Sequence, residues 1–204
     1  DDGLDKIAQM CARNILQYHW QPKYGLSFEV LRPDMTPHPN DFFIGPETRK
    51  FNNQPRQVNN FHSMEAAWMI MDEALRCGNR GMFTAAMNFG RSHLEKSWVD
   101  GKGRRGLVQF FRPDEPESFK TGPLVLPYVM QEVFIMLLLA VEHTGAEWAV
   151  DWFARVFEHS YGKEPLEWPY YDTLHFPRGL MFCHDILTRM ADREGLVSEF
   201  MDRA

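Results

Sequence analysis

Apolar residues recur at three- and four-residue intervals over six stretches of the chain, the spacing of one face of an α-helix. The first runs from about Leu4 to Tyr18, with Leu4, Ile7, Ala8, Cys11, Ile15 and Tyr18 on one stripe. The second follows Asn59-Asn60, either of which suits an N-cap. It carries Met64, Ala67, Trp68, Met71 and Leu75, and stops at Gly78-Asn79. The third spans about Met82 to Trp98, with Phe83, Ala86, Met87, Gly90 and Leu94 in register. The fourth, from near Pro127, is apolar on every side through Val129, Met130, Val133, Phe134, Ile135, Met136 and three leucines, the mark of a helix buried all round. The fifth covers Ala146 to His159 through Ala149, Trp152, Phe153, Val156 and Phe157. The sixth starts near His175 and carries Leu180, Cys183, Leu187 and Met190. Gly145 alone separates the fourth from the fifth, which predicts an αα-hairpin.

Two long connections interrupt this pattern. Gln21 to Phe61 is rich in Pro, Asn and Gly but holds the alternating segment Leu26-Ser27-Phe28-Glu29-Val30. Val99 to Pro127 holds Leu107-Val108-Gln109-Phe110-Phe111, a second strand candidate. Long ordered loops in a helical protein tend to line a site. Three helical hairpins mixing exposed and fully buried helices suit a toroid of inner and outer helices, and equally an irregular bundle. Periodicity does not choose between them.

Composition narrows the function. The 204 residues are 44% apolar and 14% aromatic, enough for a packed core, and the net charge of −6 gives no footing for nucleic acid. The apolar run Val133–Val141 is nine residues, against roughly 20 for a membrane span. The expectation is a soluble, cytoplasmic protein. Its three separated cysteines, Cys11, Cys77 and Cys183, are expected to be buried free thiols. The sequence opens at Asp1 without a methionine, which fits a trimmed piece of a longer protein.

Three places hold candidate chemistry. His62 and Glu65 lie three apart at a helix start and share a face, with Trp68 further along as an apolar wall. A helix N-terminus depresses an imidazole pKa, so His62 is expected to be a neutral base; a plain helix-start histidine reads the same way. His175 and Arg178 share a face at the start of the last helix, where Pro177 fits an early position; a surface turn reads the same way. Glu132 falls inside the most apolar helix, where an unpartnered carboxylate costs several kcal/mol. It pairs with an arginine such as Arg178 or Arg56, or it meets a substrate hydroxyl. Metal-binding and serine-hydrolase signatures are absent from the sequence, while the loop acids Asp114, Glu115 and Glu117 leave a toroidal glycoside hydrolase open.

At these residues the chain resembles the N-acylglucosamine 2-epimerase family. Arg56 to Trp68 is similar to the family's Arg-x-x-Asn-Pro-Gly-His-x-x-Glu-x-x-Trp, with Asn60-Phe61 in place of Pro-Gly. His175-Phe176-Pro177-Arg178-Gly179-Leu180-Met181-Phe182-Cys183 is similar to its terminal His-Val-Pro-Arg-x-Leu-x-x-Cys. Glu132, followed by Leu137-Leu138-Leu139-Ala140 and Thr144-Gly145, is similar to its Trp-Trp-x-x-x-Glu helix, with Tyr128 near the aromatic pair. The resemblance implies an all-α (α/α)6 barrel with short β-hairpins in its loops, residues 1–204 being the C-terminal half of one domain. It implies a cofactor-independent sugar 2-epimerase or aldose-ketose isomerase without a metal, working through an enediol. His62 and His175 would exchange the C2 proton from the same end of the bundle, and Arg56, Glu65, Trp68, Glu132 and Arg178 would bind the sugar. The partners implied are the sugar and the N-terminal half of the barrel, and the resemblance allows a homodimer. A non-catalytic carbohydrate-binding protein on the same scaffold is the alternative.

Overall fold

A computed structural model describes residues 2–38, 57–126, 130–162, 175–195 and 197–202. The chain is mostly helical, and its described residues divide into two compact units. The first comprises residues 1–66 and 91–125; the second comprises 67–90 and 126–204. No helix among the described residues is long and apolar enough to cross a membrane.

The first unit opens with α1 (Asp2–Asn14), continued by a π-helical turn, Ile15–His19. The predicted apolar stripe of α1 is not a core face: Leu4, Ile7 and Cys11 are exposed, and Ala12 is the residue that is buried. The long connections supply the packing instead. Strand β1 (Trp20–Gln21) pairs antiparallel with β2 (Leu26–Ser27) across a turn closed at Gly25, whose positive φ of 64° favours glycine. Strand β3 (Val58–Asn59) leads into α2 (Asn60–Cys77), and α3 (Arg80–Ser97) leads into the hairpin β4 (Trp98–Gly101) and β5 (Arg104–Leu107). Strand β6 (Phe110–Phe111) returns to pair with β3, and α4 (Pro116–Thr121) follows. Both predicted strands are therefore present, each shortened to a paired end. Leu26, Phe28, Val58, Val108 and Phe111 form one apolar cluster beneath them.

Beside that cluster the loop is fixed by a buried polar chain. His93 on α3 is fully buried; its Nε2 accepts from the Ser27 backbone N–H at 2.8 Å and lies 3.0 Å from the Ser27 hydroxyl. An acceptor Nε2 places the proton on Nδ1, which faces the Asn60 side-chain oxygen at 2.6 Å. The Asn60 amide donates to the Val108 carbonyl, and Ser27 Oγ meets Ser63 Oγ at 2.9 Å. One imidazole thus ties β2, α2 and the β5–β6 connection together. Burial pushes its pKa down to about 3 from 6.5. Between these values the unfolded chain binds a proton that the native ring refuses, so stability rises with pH there. The neutral ring's contribution is complete above pH 6.5 and falls by about 1.4 kcal/mol per pH unit below it. Urea midpoints measured from pH 6.5 to pH 5 should fall accordingly, and His93→Gln should flatten that slope.

The second unit is built on α5 (Gln131–Thr144), in which every side chain from Gln131 to Ala140 is buried. This is the helix that the sequence marks as apolar all round; positions 127–129, including Tyr128, lie outside the described residues. Gly145, at φ 63°, closes α5 and leads to α6 (Glu147–Tyr161), which packs against it as the predicted hairpin. The third helix of this layer, α7 (His175–Ala191), also packs on α5. Its buried face is Phe176, Gly179, Ile186 and Met190, whereas Leu180 and Leu187 of the predicted stripe are each 48% exposed.

Gly179 sets that rotation. A Cβ there would stand 2.2 Å from Gln131 Cβ, so the two helices meet where α7 has no side chain. Gly90 plays the same part in α3, where a Cβ would meet Ala67 and Met136 at 3.1 and 3.2 Å. Gly→Ala in a helix interior normally stabilises by about 1 kcal/mol through propensity. At Gly179 the overlap dominates, because relief requires moving backbone and overpacking costs typically 1–3 kcal/mol. Gly179→Ala should therefore lower the urea midpoint, and a raised midpoint would show that α7 is free to shift.

Of the cysteines, Cys11 and Cys77 are exposed and Cys183 is half-buried, so the expectation of three buried thiols is corrected. Cys11 rides on the uncovered stripe of α1, and Cys77 is the last residue of α2.

Candidate functional site

Glu132 sits one residue into α5, fully buried and without solvent to hold its charge. Three groups supply what water would. The Trp68 indole N–H, from α2, donates to Oε2. Arg178 Nη2, from the first turn of α7, donates to Oε1 at 2.5 Å. His175 Nδ1, at the very start of α7, lies 3.2 Å from the same oxygen. The spacing of three places His175 and Arg178 over one another, and Nη2 stands 3.1 Å from His175 Nδ1.

A carboxylate only accepts and a guanidinium only donates, so the two contacts of Nδ1 select different tautomers: donating to Glu132 puts the proton on Nδ1 and leaves Nε2 as the basic nitrogen, whereas accepting from Arg178 puts the proton on Nε2. The Arg178 side chain is 22% exposed and that of His175 30%, against none for Glu132. The buried carboxylate thus orients two groups that reach outward. An apolar wall stands beside them: the Trp68 ring, 4% exposed, meets Phe182 at 4.9 Å between centroids and carries the Arg178 guanidinium 5.6 Å from its own. Cys183 follows on α7, its thiol pushed up to about 12 by burial and by the charge of Glu132, so it is an unionised packing group.

The first unit holds a second histidine–carboxylate pair. His62 Nδ1 lies 2.7 Å from Glu29 Oε1, with half of the imidazole exposed and most of the carboxylate covered. The hydrogen bond to Glu29, opposed by desolvation and helped by the charges of Glu29 and Glu65, raises the His62 pKa. This overturns the expected neutral base. A carboxylate in direct contact outweighs the partial charge of a helix start, whose effect is worth only about 0.3–1 kcal/mol. Asn59, one of the two residues that suit an N-cap by sequence, gives the His62 N–H a contact of 3.5 Å, at the limit of a hydrogen bond.

Of the seven residues singled out by sequence, Trp68, Glu132, His175 and Arg178 come together in the second unit. His62 and half-buried Glu65 belong to the first, and Arg56 lies outside the described residues. Two members were not anticipated. Glu29 was read only as the polar face of a strand, although its place in that alternation gave it a defined side. Glu142 directly follows the apolar run Val133–Val141. It is fully buried near the end of α5, bound by Arg189 at 2.7 and 3.0 Å, Arg193 at 2.9 Å and His143 at 3.2 Å. Burial opposes its charge, but hydrogen bonds from His143, Arg189 and Arg193 prevail and hold its pKa well below the usual range.

Each of the acids that leave a hydrolase open in the sequence is engaged by a neighbouring cation. Asp114 bonds Lys23 and Tyr24, Glu115 bonds Arg112 and Glu117 bonds Lys120, each within its own ion pair. Neither a protein-family model nor a curated protein matches the sequence.

Proposed function

We propose that the chain belongs to a cofactor-independent sugar 2-epimerase or aldose-ketose isomerase related to the N-acylglucosamine 2-epimerases. The observation that carries this reading is His175 held through Nδ1 by a buried Glu132, with Arg178 and Trp68 beside it. With Nδ1 donating to Glu132, such a histidine presents Nε2 as a base, oriented by the buried carboxylate. Removal of the proton next to a sugar carbonyl builds negative charge on the carbonyl oxygen. Arg178, partly exposed beside the ring, is the cation suited to stabilise it. Trp68 offers a flat apolar face of the kind on which a sugar's C–H face packs.

In the two-histidine scheme that the resemblance implies, His62 supplies the second proton transfer. Its Glu29 partner raises its pKa, which equips it as the acid that returns a proton to C2. Glu65, Arg56 and the sugar's hydroxyls complete the binding set in this reading. The chain then contributes the last six helices of an (α/α)6 barrel, acts in the cytoplasm and works with a segment that supplies the remaining helices.

The test is proton exchange at C2. N-Acylglucosamines and unsubstituted aldoses are incubated in deuterated water with the full-length protein, this chain together with the segment that supplies the remaining helices, and the C2 proton is followed by NMR. Loss of the C2 signal, with growth of the epimer or the ketose, is the expected result. A sugar that binds but never exchanges would leave a non-catalytic carbohydrate-binding protein.

A further inference from the structure

The first unit contains a cavity of 470 Å³ whose lining includes neither His62 nor His175, on the side of the β1–β2 turn and the loop leading to α4. Four cations line it, Lys23, Lys96, Arg112 and Lys120, and no carboxylate does. Three of these cations are paired with neighbouring acids, so the local charge left over is that of Lys96, in a chain whose net charge is −6. Its other walls are apolar. Leu26 and Phe111 are each 4% exposed, and Phe119 stands edge-on to Phe111 at 5.1 Å between centroids. A volume within the range of small-molecule sites, apolar walls that include the Phe119 ring, and a rim of cationic side chains describe one ligand chemistry.

The four cations are not equivalent. Lys23, Arg112 and Lys120 are matched by Asp114, Glu115 and Glu117, of the adjoining loop and the first turn of α4, at 3.3, 2.9 and 2.6 Å. Lys96 forms no ion pair among the described residues. Its stem is nevertheless seated. It lies across Gly25, where a Cβ would stand 2.7 Å from its Cε and 3.2 Å from its Nζ. Gly25 itself is held to α3 by the Ser92 hydroxyl, which donates to its carbonyl at 2.6 Å. A glycine demanded by φ thus doubles as the groove in which the Lys96 stem is laid, at the edge of the cavity.

We infer that this cavity binds a small phosphate monoester carried on a flat apolar ring, with Lys96 as its principal charge contact and Phe119 as the ring's support. A dianion suits the cluster better than a single carboxylate, because it answers Lys96 and still attracts the partly neutralised cations around it. A cationic ligand is repelled by the rim. The assignment is independent of the sugar chemistry above.

Phenyl phosphate is the simplest probe, titrated calorimetrically into the full chain at low salt beside inorganic phosphate and phenol. Phenyl phosphate should bind saturably and at least about tenfold more tightly than either half alone, and high salt should weaken it. Lys96→Gln should weaken it by about tenfold. Phe119→Leu, which keeps the apolar packing, should bring phenyl phosphate close to inorganic phosphate. Thermal melts establish that both variants stay folded. Equal affinities for phenyl phosphate and inorganic phosphate, an unchanged affinity in Lys96→Gln, or no saturable binding would each overturn the assignment.

Discussion

Glu132→Ala should cost the protein about 3–5 kcal/mol, the range for removing one partner of a buried charge network. The cause is what remains behind. The Trp68 indole N–H, in a residue 4% exposed, loses its acceptor, and Arg178 loses the carboxylate that it contacts at 2.5 Å. Glu132→Gln separates the two losses. An amide oxygen still accepts from Trp68 but offers Arg178 no charge, so its cost should be smaller. Urea midpoints for the two variants decide the matter. If Glu132→Ala is within about 1 kcal/mol of the parent, the carboxylate is not buried as described and α5 is not an inner helix.

The parts of the fold that the sequence makes legible are those in which one local signal dominates. The all-apolar stretch from Val133 could only be a helix with no wet face, and α5 has none. Gly145 and Gly78 stop helices by left-handed conformations that few other residues tolerate. Legibility fails where packing chooses between two faces that the pattern leaves nearly equal. In α7 the sequence offers Leu180 and Leu187, yet the helix turns toward Gly179 because only there can it approach Gln131. In α1 a regular stripe of apolar residues stays exposed, since periodicity shows that a face exists and says nothing of what covers it.

The site divides along the same line. Glu132 stands out because a charge amid apolar residues demands a partner, and Arg178 is one of the two that its burial pointed to. Glu142 obeys the same rule ten residues on, but it stands next to His143 at the end of the run, where a charge looks like a solvated helix terminus. His93 gives no signal at all, because its role depends on Ser27, which is 66 residues away in sequence. Glu29 reaches His62 across 33 residues, and no local spacing predicts such a meeting.

His175→Asn should abolish C2 proton exchange while leaving the chain folded. A general acid or base is typically worth 10²–10⁴-fold, so the loss should far exceed any effect of altered stability. Asn keeps a polar group near Glu132 and Arg178 without the basic ring nitrogen, and the imidazole it replaces is partly exposed, so the stability change should stay near 1 kcal/mol. Glu142→Gln is the matching control. It disturbs a buried charge cluster on the same helix, ten residues and about 15 Å from Glu132 along the axis. That variant should lose stability yet exchange at the parental rate per folded molecule. His62→Asn tests the second histidine in the same assay, and the two-base scheme requires a loss of similar size. Exchange that survives His175→Asn would remove the Glu132–His175 pair from the chemistry and leave it a structural anchor for α7.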